Sequence, residues 1–76
     1  MKLHAGGNLD FYLPGRKSRM VVDLPEPTFL SDVLSGLGVP LAEIYLAVVN
    51  GELVELPGVL VRQEDDVKIF PAVNGG

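Results

Sequence analysis

The chain contains no cysteine and no tryptophan, and it has a single histidine, His4. Without cysteine there is neither a disulfide nor a thiolate metal site, so stability must come from apolar packing. One histidine cannot supply the usual zinc ligand sets, and no serine stands at a recognisable nucleophile spacing from it. No apolar run approaches the about 20 residues that cross a bilayer. The opening residues, one lysine followed by glycines, do not form a signal peptide, so a cytoplasmic location is expected. Basic residues are also scarce, 6 against 10 acidic ones, for a formal charge of −4. Such a balance argues against a nucleic-acid partner, because a phosphate backbone repels it. It suits either a basic protein partner or nothing more specific than solubility.

Seventy-six residues make one small domain, and 47% of them are hydrophobic, enough for an ordered core. Met1 to Ala5 reads as a first strand, broken by Gly6-Gly7-Asn8. Leu9 to Leu13 is apolar but irregular, and Pro14-Gly15 is a turn signal. Arg19 to Leu24 alternates as a strand, with Met20, Val22 and Leu24 on one face. Pro25 and Pro27 end it. Thr28 is the expected N-cap of a helix reaching about Leu37, with Leu30, Val33, Leu34 and Leu37 forming its apolar stripe. Gly38 fits the C′ position, and Gly36 costs the last turn about 1 kcal/mol against alanine.

After a short turn near Leu41, the run Tyr45-Leu46-Ala47-Val48-Val49 is expected as a central strand buried on both faces. Asn50-Gly51 is a hairpin signal, because both residues tolerate positive φ. Glu52 to Val54 returns as a short strand, Val59 to Val61 is apolar, and Val67 to Phe70 is the last strand. One amphipathic helix over one mixed sheet of about 4–5 strands is the expected α+β fold. The predicted core joins Leu3, Val22, Leu24, Leu30, Val33, Leu34, Leu37, Val48, Val67 and Ile69.

The most informative segment is Val67-Lys68-Ile69-Phe70-Pro71-Ala72-Val73-Asn74-Gly75-Gly76: an apolar strand, a proline, then a tail without bulk. The expected division is a domain over residues 1–70 and a flexible tail over 71–76. Pro71 cannot extend a strand ladder. From Ala72 to Gly76 the tail spans about 15 Å when extended. Gly75-Gly76 can pass where a Cβ would clash, carrying an ionised carboxylate at its tip. The alternative is an ordinary frayed end.

Period-2 alternation sets Phe70 and Lys68 opposite Val67 and Ile69. Phe70 is then either an interface anchor beside the tail, with Ala47 and Val49 extending its patch, or a packing residue against Tyr45 or Val49. His4 reads as a plain strand or edge residue. Asp65-Asp66 reads as a solvated turn rather than an acid–base pair. Gly6-Gly7-Asn8 lacks the spacing, the lysine and the helix start of a phosphate loop.

Three segments together resemble the MoaD/ThiS family of β-grasp, ubiquitin-like sulfur carriers: Leu24-Pro25-Glu26 ahead of the helix, Ala47-Val48-Val49-Asn50-Gly51-Glu52, and Asp66 through Gly76. The Phe-Pro-x-Val-x-Gly-Gly ending is closer to MoaD, the small subunit of molybdopterin synthase. The chain departs from that pattern at Gly6-Gly7 and the segment after it, and carries Glu64 where relatives have glycine in a turn. The resemblance implies a carrier, not an enzyme, with no bound cofactor. It implies that a MoeB/ThiF-like partner adenylates the Gly76 carboxylate using ATP and magnesium, and that a sulfur nucleophile converts it to a thiocarboxylate. Sulfur would then pass to a precursor in a MoaE-like synthase subunit or in thiazole synthase. Gly75, Asn74, Val73, Pro71 and Phe70 would contact those partners. The same activation would serve a ubiquitin-like protein modifier, and a β-grasp interaction domain would need none of it.

Overall fold

The first and last strands of the fold lie side by side at the middle of one sheet. The computed structural model describes residues 1–72. Strand β1 (Lys2–Ala5) pairs antiparallel with β2 (Arg19–Val21) and parallel with β7 (Asp66–Phe70). On its other side β7 pairs antiparallel with β4 (Leu46–Val49), which forms a hairpin with β5 (Glu52–Val54). The five strands run in the order β2-β1-β7-β4-β5. Helix α1 (Leu30–Leu37) contributes its buried residues Leu30, Val33 and Leu34 to the core beneath this sheet. This is the β-grasp arrangement expected of the sequence.

A second, two-stranded sheet was not expected. Thr28–Phe29 (β3) pairs antiparallel with Leu60–Val61 (β6). It corrects the expected start of the helix: Thr28 is extended and is not the N-cap. Its hydroxyl donates to the Glu26 carbonyl at 2.9 Å, and the Leu30 N–H donates to the Val59 carbonyl at 3.0 Å. Strand pairing thus supplies a partner for a helix-start donor that a side-chain cap would otherwise satisfy. The far end behaves as expected. Gly38 is left-handed at φ 94°, and the N–H groups of Gly38 and Val39 both reach the Leu34 carbonyl.

Buried side chains from all parts of the chain make one cluster, in which Leu3, Leu30, Leu34, Val61, Val67 and Ile69 are wholly or almost wholly enclosed. It also takes in Met1, Ala5, Leu9, Leu13, Val39 and Val61, which the sequence did not place there. Leu9 and Leu13 arrive through two 3₁₀ turns, Leu9–Tyr12 and Pro14–Arg16. Spacing alone does not mark such short turns as core.

The β4 face assignment is the largest correction. Register pairs Ala47 with Ile69 and Val49 with Val67, so Ala47 and Val49 face the core. Val48 pairs with Lys68 and Leu46 with Phe70, on the open face. Val48 is therefore not a core residue. The strand is covered on one face only: Leu46 is 39% exposed, and Tyr45, just before it, is 70% exposed. An unbroken apolar run carries no alternation from which its facing could be read.

The β4–β5 turn uses Asn50 at φ 51° and Gly51 at φ 85°, the paired positive values of a type I′ hairpin. Asn50 does more than turn the chain. Its side-chain Nδ2 donates to Asp65 Oδ1 at 2.9 Å, and its side-chain Oδ1 accepts from the Asp66 N–H at 2.9 Å. Asp65 Oδ2 accepts from the Arg62 N–H at 2.8 Å. The pair Asp65-Asp66 is therefore a structural tie between two turns.

The Asn50 amide, and after it the Arg62 N–H and charge, hold the Asp65 carboxyl below its ordinary 3.8 against an opposing effect of burial. A carboxyl depressed in the folded state adds stability above its unfolded pKa, which is lost as pH falls through the folded value. Asp65→Asn should cost about 0.5–1 kcal/mol at pH 7, since the group lies near the surface. Urea melts of the two proteins should converge once the pH falls below the lowered folded-state pKa of Asp65.

Candidate functional site at the sheet exit

The point where the chain leaves β7 is held from both sides. The Gly6 N–H donates to the Ile69 carbonyl at 2.7 Å, and the Tyr45 N–H donates to the Phe70 carbonyl at 2.8 Å. Both neighbouring strands thus grip the central strand up to its last residue. Pro71 follows with no N–H to continue the ladder, and the pairing stops there.

Phe70 is half-buried and sits over Gly6. A Cβ built on Gly6 would stand 2.6 Å from Phe70 Cδ1 and 3.3 Å from the Ile69 carbonyl oxygen. A Cβ on Gly7, whose φ is +57°, would stand 2.5 Å from Pro71 Cγ. Such approaches are shorter than van der Waals contact, so Gly6-Gly7 forms a cradle for Phe70-Pro71 that only glycine leaves open.

Of the expected site residues, Phe70 and Pro71 are thus brought together at the sheet exit. Val73, Asn74, Gly75 and Gly76 lie outside the described residues. Ala47 and Val49 do not extend a patch around Phe70, because both point to the core. Leu46, paired with Phe70, takes that place. Sequence reasoning missed Gly6 and Gly7 as part of the site. The available signal was two adjacent glycines directly after a strand that must pair with the one ending in Phe70-Pro71.

The rest of the open face is basic despite the net negative charge. A shallow groove of about 520 Å³ is lined by Lys2, His4, Arg19, Val21, Asp66 and Lys68, among others. Three of the chain's six Lys and Arg residues line it. Val21 and Leu53, exposed by 72% and 67%, add apolar surface outside the core. His4 lies within β1, paired on both sides, and so is a strand residue but not an edge one. Among the described residues, no group of three His, Cys, Asp or Glu side chains could hold a metal ion. No helix among them is long and apolar enough to cross a membrane.

A five-stranded mixed sheet carrying one helix, with the last strand central and released at a proline, defines a ubiquitin-like β-grasp protein. The chain belongs to the Mut7-C ubiquitin family, whose model matches residues 2–75. It is similar to a thiamine biosynthesis protein from Geobacter metallireducens, solved in solution by NMR. The two are 26% identical with a TM-score of 0.57, over 100% of this chain and 88% of that one. No curated protein matches the chain. These likenesses uphold the resemblance to the MoaD/ThiS family of ubiquitin-like sulfur carriers.

Proposed function

We propose that this protein is a sulfur carrier whose Gly76 carboxylate is the reacting group. A carboxylate is a poor acyl donor because its leaving group would be oxide. In a MoeB/ThiF-like partner, the Gly76 oxygen attacks the α-phosphate of magnesium-bound ATP, releasing pyrophosphate and leaving an acyl-adenylate. A sulfur nucleophile then displaces AMP and leaves a thiocarboxylate, splitting one hard step into two easier ones. The carrier supplies no catalytic side chain to this sequence and binds no cofactor of its own. Its contribution is to present a thin thread, with Gly75, Asn74, Val73, Pro71 and Phe70 against the partner.

The observation that carries this reading is the release of the chain from a doubly held central strand at Phe70-Pro71, directly ahead of Ala72-Val73-Asn74-Gly75-Gly76. Family membership supports it. The acceptor proposed from the Phe-Pro-x-Val-x-Gly-Gly ending is a pyranopterin held by a MoaE-like subunit, giving the dithiolene of molybdenum or tungsten cofactor. The likeness to a thiamine biosynthesis protein favours a second acceptor, a thiazole precursor.

Intact mass spectrometry tests the proposal. The full chain is incubated with ATP, magnesium, sulfide and an adenylating enzyme that charges another carrier. The expected product gains the difference between one sulfur and one oxygen atom, localised by fragmentation to Gly76. An unchanged mass with an active enzyme overturns the carrier reading in favour of an interaction domain. A product joined to a lysine of a target protein would identify a modifier instead.

A further inference from the structure

Gly6 and Gly7 directly follow β1, remote in sequence from the tail, yet they bound the space into which Phe70 and Pro71 fit. Gly6 also fixes the backbone there, through its N–H to the Ile69 carbonyl at 2.7 Å. A side chain at Gly6 would drive the Phe70 ring aside, with 2.6 Å available to its Cβ. One at Gly7 would push on the Pro71 ring from 2.5 Å, at a φ of +57° that most side chains resist. The other glycines among the described residues show no such contact: Gly36, Gly51 and Gly58 have nothing within 4 Å of an added Cβ, and Gly15 and Gly38 nothing closer than 3.7 Å. The close approach is therefore particular to the sheet exit.

We infer that Gly6 and Gly7 are positioning residues, which set the direction in which the chain leaves the sheet at Phe70-Pro71 and so aim the residues that follow. The consequence for chemistry rests on the carrier reading above. A thread that must reach a reacting phosphate from a docked domain is sensitive to its launch angle, since a displacement of about 1 Å at a reacting group can cost 10²-fold in rate. The direction of the exit can be measured with or without charging.

Two measurements are made on Gly6→Ala and Gly7→Ala. The first uses the absence of native cysteine. A nitroxide on Ala72→Cys, exposed just past Pro71, broadens amide signals of β1, β4 and β7 according to where the exit points. Both alanine variants should redistribute that broadening while the amide spectrum still reports a folded sheet. The second is kcat/KM for charging by the adenylating enzyme, expected to fall about tenfold or more in each variant. Val33→Ala, a helix-side core variant, controls for lost stability and should charge as the parent does.

In a Phe70→Ala background the Gly6→Ala effect should disappear, because the ring it displaces is gone; a merely structural role would keep its penalty in both backgrounds. Unchanged broadening in folded Gly6→Ala and Gly7→Ala overturns the inference, as does unchanged charging when the parent charges. If the parent is not charged at all but the broadening moves, the carrier reading fails and the positioning role stands.

Discussion

Removal of Gly75 and Gly76 is expected to abolish charging, by at least the detection limit of the mass assay, while leaving the melting temperature within about one degree of the parent. Among the described residues the buried cluster reaches no further along the chain than Ile69, and the ladder ends at Phe70. Surface changes away from packing, caps and buried polar groups alter stability by no more than about 0.5 kcal/mol. The truncated chain would still end in a carboxylate, now on Asn74. That group is two residues short, about 7 Å at an extended rise, and carries a side chain where the thread must be thin. Retained charging on the new terminus would refute the assigned role of Gly76. Calorimetry beside mass spectrometry separates loss of the reacting group from loss of the fold.

Ile69→Ala should come close to unfolding the protein. Ile69 is fully buried in the central strand, paired with Ala5 on one side and Ala47 on the other. Two alanine partners leave little bulk to move into the space, so the cavity should persist. Truncating a buried isoleucine to alanine costs about 2–5 kcal/mol. A domain of this length has no disulfide to help and a total stability of about 5 kcal/mol. The expected result is a large population of unfolded chain at 25 °C in urea melts extrapolated to water. Leu53→Ala, on the exposed face, should stay within about 0.5 kcal/mol. A fully stable Ile69→Ala protein would contradict the central placement of β7.

Much of this was legible in the sequence because local chemistry and the global fold agree. The stripe of Leu30, Val33 and Leu34 specifies a one-sided helix, Gly38 its end, and Asn50-Gly51 a two-residue hairpin. Alternation through Val67, Lys68 and Ile69 specifies a strand with one buried face. What could not be read was decided by pairing between distant segments. Nothing local in Val59-Leu60-Val61 shows that it joins Thr28-Phe29 and displaces the expected cap. The parity of β4 comes from its register against β7, since Leu46 through Val49 offers no polar residue to mark the outside. At the sheet exit, Phe70 and Pro71 were visible as a composition, but the space they occupy is supplied by Gly6 and Gly7. Two glycines after a strand look like a simple break until the parallel neighbour is known.

The central position of β7 also has a consequence for how the protein is made. During synthesis the β1–β2 and β4–β5 hairpins emerge before the strand that stands between them, and isolated two-stranded hairpins are at best marginal in water. The sheet closes only when β7 inserts, a long-range step of the kind that slows folding. Ribosome-bound chains halted before Asp66 should therefore remain open and protease-sensitive. A nascent or truncated product lacking β7 would not display the folded sheet face, and so would not compete with the full-length protein for a partner that recognises it.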